Sequence, residues 1–438
     1  MHTNPSEFLE TVAAPLGWFY VIGGAMNVGA AICAGRGRKF AWTAVWLAVA
    51  AAFAMLGAAS FAGRPLIMPE GMKSAIDGLL NPVSFIGGSF VVLLVLYLGR
   101  RFFVLPAVAW TGLNVSLLLM GTSMTDPEFA AIVTKADNVP IVAMVYLLGL
   151  FTYLAAAQAV RNDRRMQEGL PPVEEQYEGK VLAWPDLVYI ELICMILLTV
   201  LLVVWSLTLR APLEQPANPV VTPNPSKAPW YFLGLQELLA FSDPWLVGVV
   251  VPCLIVFGLA AVPYLDRNPR GSGYYTIDQR KFAYLVFQFG FLLLWVLLIL
   301  VGTFMRGPNW NFFGLYEVRD PHKVAALTNV KLSEYFWVIL LGRGLPQVPE
   351  GAGTIVRLAH ILWREIPGVV PLAVYFVVLP PVLGRTLLRK FRRQMGFGRY
   401  TLMALLLLMM MTIPLKIILR WTFNLNYIVS IPEYLLNF

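Results

Sequence analysis

The sequence predicts an all-α protein, a polytopic transmembrane helical bundle of about ten spanning helices with both termini outside. Three observations carry this. Of 438 residues, 58% are hydrophobic and 13% charged, whereas a soluble domain is ~45–50% apolar and ~25% charged. The apolar residues fall in ten runs, each near the ~20 residues that a bilayer requires. The basic residues cluster in every second loop, as the positive-inside rule demands. The net charge of +8 therefore reports topology, and no nucleic-acid partner is expected. The lipid bilayer is.

The expected spans run from Pro15 to Gly35, Ala41 to Ala62, Val83 to Gly99, Phe102 to Met120 and Val139 to Val160. Then come Leu187 to Leu209, Trp245 to Leu265, Phe282 to Phe304, Gly368 to Leu388 and Tyr400 to Leu419. Gly23-Gly24, Gly87-Gly88 and many alanines allow close packing in the first five. No catalytic motif stands out there. The polar stretch Asn162 to Lys180, with Pro171-Pro172 and Glu174-Glu175, reads as a cytoplasmic linker. The chain thus divides into 1–165, a five-helix membrane module without an assigned role; 166–182, the linker; 183–305, a three-helix module; and 306–438, a long outer segment with two further spans.

Loop charge orients the bundle. Arg36, Arg38 and Lys39 follow the first span, and Arg100 and Arg101 the third. Arg161, Arg164 and Arg165 follow the fifth; Arg267, Arg270, Arg280 and Lys281 follow the seventh. Arg385, Arg389, Lys390, Arg392, Arg393 and Arg399 lie between the ninth and tenth. If ten spans alternate, all five loops share one side, and that side is the cytoplasm. Loops 63–81, 121–138, 210–244 and 306–367 then face outward. No basic stretch with a cleavage site precedes the first run, so no signal peptide is expected. Cys33, Cys194 and Cys253 sit singly in apolar runs. That spacing suits neither a metal site nor a disulfide framework, and each is expected to be a small buried hydrophobe.

The loop from Glu214 to Leu239 is the most distinctive. Pro216, Pro219, Pro223, Pro225 and Pro229 punctuate an extended segment, each fixing φ and removing a donor. A short amphipathic run from Trp230 to Phe241 follows, too short to span. Trp230 and Tyr231 are residue types that favour a membrane–water interface. On residue types alone this is an interfacial loop with an aromatic anchor.

The words in order say more. The stretch resembles the quinol-oxidation loop of cytochrome b, in the form found in subunit IV of the cytochrome b6f complex. There a Pro-Ala-Asn-Pro precedes a Pro-Glu-Trp-Tyr tetrad at the quinol pocket. Here Pro216-Ala-Asn-Pro219 is intact, and the tetrad position reads Ala228-Pro229-Trp230-Tyr231. Two of its four residues match, and the carboxylate does not. Ala183-Trp-Pro-Asp-Leu-Val-Tyr-Ile190 is similar to the phrase that opens subunit IV. Gly258-Leu-Ala-Ala-Val-Pro-Tyr-Leu265 and Asn268-Pro269 resemble the end of its second helix and the following loop. The resemblance covers about 175–305. Gly307-Pro-Asn-Trp-Asn-Phe-Phe-Gly314 and Asp320-Pro-His-Lys323, similar to bacterial cytochrome b extensions, carry it to about 312 and beyond.

A two-haem cytochrome b core needs axial ligands, usually histidines facing the bundle interior. The chain has three histidines, His2, His322 and His360, and none falls in an expected span. No haem is expected on this chain, and no metal site. A partner subunit would hold the haems, as the resemblance implies. Quinol oxidation needs an apolar pocket and a proton acceptor. The family's acceptor is the tetrad glutamate, whose place Pro229 takes. Glu237, seven residues after Trp230, lies about two helical turns on and should share its face. There it is either a carboxylate with raised pKa, suited to proton relay, or a water-exposed interfacial glutamate. Tyr231 either bonds a quinol oxygen or anchors the interface. Glu191 and Lys416 lie near span ends, within reach of an interface.

Taken together, the resemblance implies a membrane subunit of a quinol-oxidising electron-transfer complex, respiratory or photosynthetic. Glu237 is the candidate catalytic residue, and Pro229, Trp230, Tyr231 and Phe232 the candidate quinol-binding residues. The implied cofactor is a quinone or quinol at a site shared with a partner. The implied partners are a di-haem cytochrome b subunit, a Rieske iron–sulfur protein and a c-type cytochrome, in a bacterial inner membrane with the loop on the periplasmic side. The alternative is a non-catalytic scaffold subunit of an electron-transport supercomplex. A secondary transporter is disfavoured, because no inverted repeat or charged midplane helix pair is seen.

Overall fold

The structure, a computed structural model, describes residues 5–176, 181–208, 216–269, 273–323 and 328–438. His2, Lys180, Leu209, Arg210, Glu214 and Arg270 lie outside the described residues. The N-terminal half forms α1 (Pro5–Arg36), α2 (Phe40–Phe61), α3 (Glu70–Leu79), α4 (Pro82–Leu98), α5 (Arg100–Phe103), α6 (Pro106–Ser123), α7 (Pro127–Val133) and α8 (Val139–Gln167). Then follow α9 (Val188–Thr208) and the short α10 (Leu233–Leu238). The last long helices are α11 (Leu246–Leu265), α12 (Lys281–Met305), α13 (Thr354–Arg385) and α14 (Arg389–Phe423).

Eight helices are long and apolar enough to cross a membrane, and up to 10 if each of two bent pairs counts as one span. The pairs are α3 with α4, bent by 80°, and α6 with α7, bent by 115°. Local chemistry sets both bends. Asn81 caps α4 by accepting from the Ser84 amide at 3.0 Å, with Pro82 at the first helical position. Asp126 caps α7 by accepting from Glu128 and Phe129, again with a leading proline. Proline lacks the amide that a first turn would leave unpaired anyway. Each of the ten expected spans thus falls mainly on helix, with a break at Val104–Leu105 in the fourth and a turn at Thr386–Leu388 ending the ninth.

Three expectations need correction. The ninth span begins at Thr354, not Gly368. Pro367 and Pro371 lie inside the helix without ending it, which membrane helices tolerate because neighbours satisfy the freed carbonyls. His360 therefore lies on a spanning-length helix and not in a loop. The three cysteines are exposed rather than buried, since an apolar side chain on a membrane helix can face lipid.

Contacts sort to the two ends of the bundle. At one end, the Leu315 amide donates to Asp77 Oδ1 at 2.8 Å, Ser123 pairs with Tyr316 at 2.8 Å, and Phe129 stacks on Tyr316. The C-terminal segment joins them there: Trp245 Nε1 donates to the Asn437 carbonyl at 2.9 Å. At the other end, Arg100 pairs with Asp278 at 3.1 Å and Asn162 Nδ2 donates to the Tyr275 carbonyl at 2.9 Å. This is the sorting that alternating spans produce. Cysteines introduced at the exposed positions Ser226 and Gln394 should label from opposite sides of sealed vesicles. Labelling from one side would refute the alternation.

The core beneath α10 draws Ile86 from α4, Leu238 from α10, Val247 from α11, Leu298 from α12 and Ile417 from α14, with Phe241. By contrast, the described side chains of α9 are exposed along its whole length.

Candidate functional site

The proline-rich segment from Pro216 runs to the end of α12 and is pinned at three points. Asn224 and Asn309 bond reciprocally: the Asn309 amide donates to Asn224 Oδ1 at 2.7 Å, and Asn224 Nδ2 to Asn309 Oδ1 at 2.9 Å. Lys227 Nζ donates to the Thr303 carbonyl at 2.8 Å. The Gln236 amide folds the segment back onto α10, accepting from the Ala228 amide and donating to the Ser226 carbonyl, both at 2.8 Å. Proline-rich backbone offers few donors of its own, so side chains supply the fixing bonds.

Pro229 turns the chain into a single tight turn, Trp230–Phe232, which leads straight into α10. The three aromatic rings follow one another with centroids 5.7 and 4.7 Å apart. They are 41%, 48% and 53% exposed. The aromatic run is thus held on a pinned turn and turned outward. α10 beneath it sits close on α12. A Cβ at Gly302 would lie 3.2 Å from the Leu233 carbonyl, so the two backbones touch there because neither side chain intervenes.

Glu237 faces the other way. It is 1% exposed, and Arg306 grips it with both arms: Nη2 to Oε1 at 2.6 Å and Nε to Oε2 at 2.8 Å. The seven-residue spacing from Trp230 does not give a shared face. The tight turn at 230–232 precedes α10, so the two residues do not lie on one continuous α-helix. Glu237 is neither water-exposed nor free beside an apolar wall. Burial pushes its pKa up, against the opposing pull of the Arg306 guanidinium.

Arg306 follows α12 directly and also donates Nη1 to the Trp310 carbonyl at 2.7 Å. Asn309 and Trp310 both adopt the left-handed conformation, with φ of 58°. That costs free energy in residues with a Cβ and marks a place held by its surroundings. Lys227 and Arg319 cap the last carbonyls of α12, Arg319 Nη2 reaching Phe304 at 2.5 Å. Cations at this end complement the helix dipole. Burial lowers the Lys227 ammonium to about 8.

The sequence missed Arg306, Lys227, Gln236 and the Asn224–Asn309 pair as site residues. Arg306 carried a signal: it stands at the outer end of a span, where cations are otherwise scarce. Asp243 behaves as expected of a residue before a helix start, accepting from the Trp245 amide at 3.3 Å. Glu191 is exposed on α9. Lys416 does not snorkel: it is 4% exposed, with Nζ 3.4 Å from the Asn426 carbonyl. His360 Nδ1 contacts the Val356 carbonyl of its own helix at 2.9 Å, and His322 lies in the 306–323 segment. Among the described residues no three His, Cys, Asp or Glu side chains converge.

Residues 216–318 match the family model described as cytochrome b (C-terminal)/b6/petD. Among curated proteins, a cytochrome b of Vanderwaltozyma polyspora is 28% identical over 107 residues, covering 22% of this chain. The matched part spans 27% of that relative's length. No solved structure matches. The family match spans the whole pinned segment, α10, α11, α12 and the Arg306 turn.

Proposed function

With residues 216–318 similar to the C-terminal part of cytochrome b, we propose that this chain is a membrane subunit of a cytochrome bc-type electron-transfer complex. It forms one wall of the outer quinol site, and a partner subunit carries the haems. The observation that supports this best is the pinned turn at Pro229, which presents Trp230, Tyr231 and Phe232 outward as an apolar half-pocket. These rings suit a quinol ring and tail. Quinol is the substrate there, losing two electrons and two protons to neighbouring groups. A haem pair does not fit the described residues: His322 and His360 are two histidines, and bis-histidine ligation of two haems takes four. The proposed partners are a di-haem cytochrome b subunit, a Rieske protein and a c-type cytochrome, in a bacterial inner membrane with this loop on the periplasmic side.

A second reading, a scaffold subunit without a working quinol site, is favoured by one observation. Pro229 offers no carboxylate, and both Glu237 oxygens are already engaged. For Glu237 to accept a proton, its pair with Arg306 must open first.

Purification from native membranes through a tag on this chain should bring down b- and c-type haem, a Rieske spectrum and quinol–cytochrome c activity. The chain on its own should show no Soret band. In the assembled complex, Tyr231→Ala and Trp230→Ala should raise the KM for quinol with haem content unchanged. Wild-type kinetics in both variants would leave the scaffold reading standing.

A further inference from the structure

A small polar recess of about 40 Å³ opens at the opposite end of the bundle from the aromatic turn, lined by Arg100, Arg101, Asp163, Arg164, Gln167 and Asp278, with Val160. Its two carboxylates are already satisfied. Asp163 accepts from the Thr276 hydroxyl and from the amides of Ile277 and Asp278, both at 3.1 Å. Asp278 accepts from Arg100 at 3.1 Å and from Gln167 at 3.0 Å. Arg100 is further held by the Tyr97 carbonyl at 3.1 Å and lies over the Tyr97 ring. Among the described residues, Arg101 and Arg164 meet no hydrogen-bond or ion-pair partner. Two guanidinium groups therefore reach one recess without a direct ion pair, and its three arginines outnumber its two carboxylates.

The recess sits where spanning helices end. Arg101 follows α4 within three residues, and Arg164 lies in the last turn of α8. Leu98 and Phe102, beside it in sequence, are 67% and 57% exposed, as lipid-facing side chains are. Guanidinium forks match phosphate oxygens bidentately, and basic recesses at span ends attract anionic headgroups.

We propose that this recess binds a phosphate-bearing anion, the phosphodiester of an anionic phospholipid headgroup, between Arg101 and Arg164. Asp163 and Arg100 act from behind as the frame that joins α5 and α8 to the 275–278 turn. The two proposed anion ligands, Arg101 and Arg164, lie in the N-terminal half of the chain, and the proposal stands independently of the quinol reading.

The full chain in detergent is titrated with phosphatidylglycerol, phosphatidylcholine and inorganic phosphate in turn. Binding is followed by native mass spectrometry and by the thermal-unfolding midpoint. Phosphatidylglycerol should bind and raise the midpoint, and phosphatidylcholine should not. The Arg101→Gln/Arg164→Gln double variant removes two exposed, unpartnered cations and should fold normally. It should bind phosphatidylglycerol roughly thirtyfold more weakly. An equal response to inorganic phosphate, lost in the same variant, would keep the site and assign its ligand to a soluble anion. Arg399→Gln removes another arginine of the same expected face and should leave binding unchanged. Wild-type affinity in the double variant, or an equal loss in Arg399→Gln, would overturn the proposal, because the attraction would then be diffuse.

Discussion

Arg306→Met is expected to destabilise the protein by about 3–5 kcal/mol, the usual penalty for removing one partner of a buried ion pair. Glu237 is 1% exposed and receives both its charge-assisted bonds from this one guanidinium. Methionine fills similar volume but donates nothing, so a carboxylate is left buried and unpaired. The loss should depend on pH. Burial pushes the Glu237 pKa up, and without Arg306 no comparable pull opposes it. A carboxyl with a raised folded-state pKa binds its proton more tightly folded than unfolded. The deficit should therefore be small below the ordinary glutamate value of ~4.3, and it should grow as pH rises above it. Thermal unfolding of wild type and variant from acid to neutral pH checks this, and a deficit that stays flat would show that the unpaired carboxylate is not its cause. Adding Glu237→Gln to Arg306→Met should recover part of the loss, because the pair couples. Glu237→Gln alone also bears on function. In the assembled complex it should lower quinol oxidation at least about tenfold if Glu237 takes a proton. Loss of the acid limb of the pH–rate profile would mark proton transfer, whereas a uniform drop with that limb intact would mark a carboxylate that only holds α10 in place.

Gly368→Val should be damaging to a similar degree. A Cβ at Gly368 would stand 1.9 Å from the Ile428 carbonyl oxygen, which is backbone and cannot rotate away. The helix and the C-terminal segment are locked together around this point. Arg364 pairs with Glu433 at 2.7 and 2.9 Å, and Glu365 accepts from the Ser430 amide at 3.0 Å. Strand residues Ser430–Ile431 pair with Leu436–Asn437 just beyond. Overpacking typically costs about 1–3 kcal/mol and more where backbone must move, so a loss of about 3 kcal/mol or greater is expected. Limited proteolysis should then cut within 424–438, where wild type resists. A variant with wild-type melting and protease resistance would show that α13 and this segment can separate freely.

The spans were legible because a bilayer imposes one rule, continuous apolarity over a fixed length, on the residues that cross it. What that rule does not govern went unread. α3 and α7 are 10 and 7 residues long, each too short to span, so hydropathy passed over them. Pro367 looked like a boundary, yet α13 runs through it to Thr354. At the site, the aromatic run at 230–232 was read from residue order and found on one turn. Glu237 was read from helical spacing and found turned inward, because the turn at 230–232 precedes the α-helix that carries it. Its partner lies 69 residues away, as Asn309 lies 85 from Asn224. Such pairings depend on how α12 returns beside the loop, and no local pattern encodes them.

The polar contacts between the two halves of the chain include one at each end of the bundle, Asp77 with Leu315 and Arg100 with Asp278. Helices of span length separate the two by about 30 Å. A single attachment would act as a pivot, about which five helices could rock against the rest. Two attachments that far apart remove the lever arm, and tilting one half strains both fastenings at once. The packing of α4 against α12 between the two fastenings, Phe90 beside Phe289 among it, adds to that stiffness.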